Sequence, residues 1–144
     1  MGVVETRLGE PLGIPAGGLN GHVVVIDDDA SLRRSLSNLL GSVGFHVETF
    51  ISAEAFLECP QRERPGCLVL DLRMPGMSGL DLLRHLAATG PLAPAIVLTA
   101  HGSDETRREC LEAGAFAFLE KPFRSAALLD AVRGALGARR QDSP

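Results

Sequence analysis

From residue 21 onward, short runs of apolar residues alternate with longer stretches in which apolar positions recur every three or four residues. The runs are His22–Ile26, 45–50, 67–70, 95–98 and 115–119. Runs of this kind, without regular polar alternation, fit strands buried on both faces. Between them, Leu32, Leu36, Leu39, Leu40 and Val43 mark a first helix, and Leu128, Ala131, Val132, Ala135 and Leu136 mark a last one over 124–136. Residues 52–59, 78–89 and 103–113 supply the three helices between these. Strands covered on both faces require crossover helices on both sides of a parallel sheet. The predicted class is therefore α/β, a (βα)5 doubly wound parallel five-stranded sheet.

Residues 1–20 break the pattern. Gly2, Gly9, Pro11, Gly13, Pro15, Gly17 and Gly18, with little periodicity around them, read as a flexible leader or an appended remnant outside the fold. The folded unit is expected over 21–138, with 139–144 as a tail or the start of a linker. A chain of 144 residues has room for one domain of ordinary size.

A formal charge of -4 and a pI near 5.5 give no general attraction to polyphosphate, which disfavours direct nucleic-acid binding. The pairs Arg33-Arg34, Arg107-Arg108 and Arg139-Arg140 read as solvated helix faces. No apolar run approaches the roughly 18 residues of a membrane helix, and the N-terminus lacks a signal-peptide core, so a soluble cytoplasmic protein with no membrane partner is expected. Cys59, Cys67 and Cys110 match neither a zinc site nor a redox pair, and are expected as reduced structural thiols.

Chemistry concentrates where the strands end. Ligands of doubly wound sheets bind outside the carboxyl ends of the strands, at the point where the winding reverses. In "VVVIDDDA" the first strand runs directly into Asp27, Asp28 and Asp29. One aspartate there would be an ordinary helix cap. Three beside a low-dielectric core repel one another unless a cation relieves them. Asp71 follows the third strand, Thr99 the fourth and Lys121 the fifth, so Asp27, Asp28, Asp71, Thr99 and Lys121 all arrive at one edge. Oxygen-only ligands of hard negative charge suit Mg²⁺ better than zinc. A hydroxyl and an ammonium beside them can hold phosphoryl oxygens. Together these groups specify phosphoryl transfer onto an aspartate. Taken singly, Thr99 would be a strand-end hydroxyl bonded to backbone, and Lys121 a surface lysine.

The motifs "DLRMPGMSGLDLL" and "EKPF", in this order on these elements, resemble those of two-component response-regulator receiver domains over 22 to about 137. "SAEAFL" and "FLEKPF" are most similar to receivers of the nitrogen-fixation-type, LuxR-class transcriptional regulators. The resemblance implies a flavodoxin-like receiver fold and assigns roles. Asp71 would accept a phosphoryl group from a sensor histidine kinase. Asp28 and Asp71 would ligate Mg²⁺ directly, with Mn²⁺ able to substitute, the Arg73 backbone carbonyl as a third ligand and Asp27 acting through water. Thr99 and Lys121 would contact phosphoryl oxygens, and Phe118 would be an aromatic switch that turns inward when Thr99 moves. Asp29 would start a helix, and His101 would tune dephosphorylation. His22, His46, His85 and His101 are scattered and form no catalytic set. Such a domain is a phosphoacceptor that assists its own phosphorylation and dephosphorylation, not an enzyme. It would dimerise on phosphorylation through the face formed by 103–136.

Other readings share parts of this pattern. A flavodoxin-like cofactor binder needs a phosphate cradle after the first strand, where "DDDAS" would repel one. A haloacid-dehalogenase-type phosphatase expects a second acid two residues after its nucleophile, where Arg73 stands. A degenerate receiver would act as a phosphorylation-independent interaction module. Regulators of the resembling type carry a helix-turn-helix after the receiver, whereas here "GARRQDSP" closes the chain. The expectation is a truncated chain or a single-domain regulator.

Overall fold

The structure, a computed structural model, describes residues 21–59, 65–89 and 93–142. The expected leader and the last two residues of the expected tail lie outside the described residues. Strands β1 (His22–Ile26), β2 (His46–Phe50), β3 (Cys67–Asp71), β4 (Ala95–Thr99) and β5 (Ala115–Glu120) alternate with helices α1 (Ala30–Ser42), α2 (Ala53–Glu58), α3 (Gly79–Thr89), α4 (Asp104–Glu112) and α5 (Ser125–Asp142). All pairings are parallel, in the order β2-β1-β3-β4-β5, so the winding reverses between β1 and β3.

Successive residues of a strand point to opposite faces, and each face has its own core. Val23 and Val25 of β1, Cys67 and Val69 of β3 and Ile96 and Leu98 of β4 pack against Leu36 and Leu40 of α1 and Leu128 and Val132 of α5. Val24, Ile26, Leu68, Leu70 and Val97 pack on the other face against Phe56 of α2, Leu82 and Leu83 of α3 and Cys110 of α4. Burial on both faces holds for β1, β3 and β4, every residue of which is buried.

The two outer strands depart from that expectation. No residue of β2 is fully buried, and β5 is buried only at Ala115. Each is an edge strand with a neighbour on one side only. Helix α5 runs to Asp142 rather than stopping at 136.

Side chains cap three of the helices as their sequences suggest. Asp29 accepts the amides of Ser31 and Leu32 at the start of α1, Ser52 accepts that of Ala55 at α2, and Ser103 accepts that of Thr106 at α4. Asp29 is thus the expected helix-start residue. The three cysteines are free, and burial pushes the Cys67 thiol up to about 12 and raises that of Cys110 as well. His22 and His46 are less scattered than their spacing suggests. Paired in register at the start of β1 and β2, their rings stand 5.0 Å apart, at the end of the sheet opposite the aspartates. No helix among the described residues is long and apolar enough to cross a membrane.

Candidate functional site

The site follows from the sheet order. β1 and β3 are neighbours although α1, β2 and α2 separate them in sequence, so Asp27 and Asp28 arrive beside Asp71. Carboxylate oxygens of the three residues all lie within 4.8 Å of one another. β4 adds Thr99 and β5 leads to Lys121, whose amide donates to the Thr99 carbonyl at 2.8 Å. The Lys121–Pro122 peptide bond is cis. The Lys121 ammonium lies 3.4 Å from Asp71 Oδ1 and 3.7 Å from Asp27 Oδ2.

Asp27, Asp71 and Thr99 are buried, and Asp28 is exposed. Burial raises the Asp71 carboxyl above the ordinary range, opposed by the Lys121 charge and hydrogen bond and reinforced by the Asp28 charge. Burial likewise raises Asp27, opposed by its hydrogen bond from the Asp29 amide at 2.8 Å and reinforced by Asp71. Desolvation therefore outweighs the single ammonium at both acids.

Asp27 Oδ1 accepts the Asp29 amide, while Oδ2 is buried without a hydrogen-bond partner. A buried carboxylate oxygen that accepts no hydrogen bond, inside a group of three acids, is where a hard cation relieves the most unfavourable energy. The residues present thus fit a divalent, oxygen-preferring metal.

The surrounding loops place the remaining candidates. Arg73 is exposed, two residues beyond Asp71 on the β3–α3 loop. Thr99 Oγ1 accepts the His101 amide at 3.1 Å, which ties the hydroxyl to the β4–α4 loop. The His101 side chain is exposed. Phe118 is half-buried under that loop: a Cβ built on Gly102 would lie 2.9 Å from its ring.

Two contacts near the acids were not foreseen. Arg33 is no solvated face residue, because its Nη1 donates to the Asp27 carbonyl oxygen at 2.7 Å and buttresses the β1–α1 turn. Its place one turn past the Asp29 cap was the available signal, since a first-turn side chain can reach back toward the strand. Glu54 of α2 reaches the β3–α3 loop, accepting the Met77 amide at 2.8 Å.

Comparison with known proteins shows the family and the fold. The family model for the response regulator receiver domain matches residues 23–133. The transcriptional regulatory protein FixJ of Azorhizobium caulinodans is 49% identical over 115 residues, covering 80% of this chain and 54% of FixJ. The response regulator protein TodT of Pseudomonas putida is 44% identical over 114 residues, covering 79% of this chain and 50% of TodT. The chain thus spans about half the length of the curated relatives it matches. Among solved structures, the crystal structure of FixJ-N superposes with a TM-score of 0.74 at 42% identity, covering 81% of this chain and 93% of that one. The chain belongs to the response-regulator receiver domains, signalling modules of two-component systems whose FixJ-type members regulate transcription.

Proposed function

We propose that Asp71 is a phosphoacceptor that takes a phosphoryl group from the phosphohistidine of a sensor histidine kinase in the cytoplasm, and that 21–138 form the receiver unit. An Asp71 carboxylate oxygen attacks phosphorus. The bond from phosphorus to the imidazole nitrogen breaks, and its electron pair stays with the imidazole. Lys121, already beside Asp71, pairs with one phosphoryl oxygen, and the Thr99 hydroxyl donates to another. Asp28, Asp71 and the Arg73 backbone carbonyl would hold Mg²⁺, with Asp27 acting through water. The metal would supply neutralisation of charge on the phosphoryl oxygens.

Output follows from what these residues must release. To reach the phosphoryl group, Thr99 gives up the His101 amide and frees the β4–α4 loop. Phe118, now under that loop, turns inward. The face of α4, β5 and α5, where Leu111 and Phe116 are exposed, then favours a homodimer. In a longer protein this pairing would act on transcription through a DNA-binding domain, the receiver itself making no direct nucleic-acid contact.

The observation that carries this reading is the Lys121 ammonium poised on Asp71 beside an Asp27 oxygen that accepts no hydrogen bond. Acetyl phosphate with Mg²⁺, followed by intact mass, tests it. One phosphoryl adduct is expected on the native chain and none on Asp71→Asn; undiminished labelling of that variant refutes the assignment.

A further inference from the structure

The stretch "SAEAFL" at 52–57 is one of the two that carry the resemblance to nitrogen-fixation-type receivers, yet the chemistry above makes no use of it. Ser52 caps α2 and fixes its first turn, and Ala53 and Phe56 anchor the helix in the core. That orientation sends Glu54 away from its own helix to the loop after the phosphoacceptor. Its Oε2 accepts the Met77 amide at 2.8 Å across 23 positions of sequence. The carboxylate lies directly over Gly76, where a Cβ would stand only 2.5 Å from Oε2. Gly76 also holds a φ of 79°, which glycine alone adopts at little cost. The loop is therefore shaped to receive this carboxylate.

The far end of the loop is separately fixed. The Gly79 amide donates to the Leu72 carbonyl at 2.9 Å, and Ser78 and Asp81 exchange side-chain and backbone hydrogen bonds. Arg73 lies between Leu72 and Met77, inside the stretch that these ties close, and its backbone carbonyl is the metal ligand of the reading above. Mg²⁺ tolerates little departure from octahedral geometry, so a ligand carried on a loop must be held before the ion arrives.

We propose that Glu54 is a positioning residue: its carboxylate latches the β3–α3 loop and holds the Arg73 carbonyl where Asp28 and Asp71 can share a metal with it. The proposal rests on the metal reading given above. It differs from a merely local role, in which a first-turn acid stabilises its own helix through the helix dipole. Glutamine separates the two, because it loses the charge but keeps an oxygen that can accept the Met77 amide.

The test compares the native chain with Glu54→Ala and Glu54→Gln by NMR, reading Met77 amide exchange and titrating Mg²⁺ in the same samples. Alanine is expected to speed exchange at Met77 by roughly tenfold or more, as loss of a hydrogen bond to a charged acceptor implies. It should also raise the Mg²⁺ dissociation constant severalfold, and glutamine should restore most of both. Unchanged Met77 exchange in Glu54→Ala overturns the latch. Faster exchange with unchanged Mg²⁺ affinity overturns the positioning role. A native chain that binds no Mg²⁺ instead overturns the metal reading on which the proposal stands, an outcome visible before any variant is compared.

Discussion

Lys121 Nζ lies 3.4 Å from Asp71 Oδ1, with Asp27 Oδ2 3.7 Å away on its other side, so one ammonium serves two buried acids. Lys121→Met should leave both without a counter-charge. Because the lysine side chain is 26% exposed, the loss of metal-free stability should be discounted to about 1–2 kcal/mol. Urea unfolding in EDTA measures it, and saturating Mg²⁺ should recover more stability in the variant than in the native chain.

The acids also predict a pH dependence. Burial raises Asp27 and Asp71 above their ordinary value of 3.8. Groups that hold protons more tightly when folded give stability that is complete below the unfolded value and is lost as pH rises through the folded one. Asp27→Asn keeps an acceptor for the Asp29 amide but removes the charge. In EDTA it should be more stable than the native chain near pH 7 by on the order of 1 kcal/mol, and the gap should close toward about pH 4. A gap of equal size at both pH values would mean that charge at Asp27 is not the cause.

Gly79 offers a purely steric test. A Cβ there would lie 2.6 Å from the Asp71 carbonyl oxygen and 2.7 Å from Leu70 Cδ1, at the end of β3. The first of these neighbours is backbone and cannot rotate aside. Gly79→Ala should cost about 1–3 kcal/mol and, on the proposed role of Asp71, slow labelling by acetyl phosphate, because the displaced segment carries that residue. Native-like stability would show that the loop has room to yield.

Coupling to output can be read with beryllofluoride, which imitates a phosphoryl group on Asp71. Sedimentation at matched concentrations should show a mainly monomeric chain that self-associates when beryllofluoride and Mg²⁺ are added. Thr99→Ala should weaken that response while leaving some phosphorylation intact, since Asp71, the proposed acceptor, is untouched. Equal dimer fractions with and without beryllofluoride would refute the dimerisation route.

The fold was legible because two periodicities, solid apolar runs and helical spacing, dominate the chain. The strand ends were less so. β3, β4 and β5 each run one residue past the apolar stretch, into Asp71, Thr99 and Glu120, because ladder hydrogen bonds continue there whatever the side chain. The exposure of β2 was present in the polar Glu48 and Thr49, although its location at an edge depends on strand order. At the site, residues that end strands could be found because topology collects them. Glu54 could not, and Arg33 only through its place one turn past the Asp29 cap, since each acts on the backbone of another segment through a contact that hydropathy does not encode.

The hydrogen bond from the Lys121 amide to the Thr99 carbonyl has a consequence beyond local pairing. Asp27, Asp71, Thr99 and Lys121 stand at the ends of four laterally adjacent strands, whose spacing is about 4.8 Å wherever strands pair. The interval between one reactive group and the next is therefore a property of the peptide backbone, a ruler that no surface substitution can stretch. Loops above this row can diverge to meet different partners while the row keeps its dimensions. Outside the β3–α3 loop that carries Arg73, recognition and chemistry can thus change independently in this chain, one written in loop side chains and the other in the pitch of the sheet.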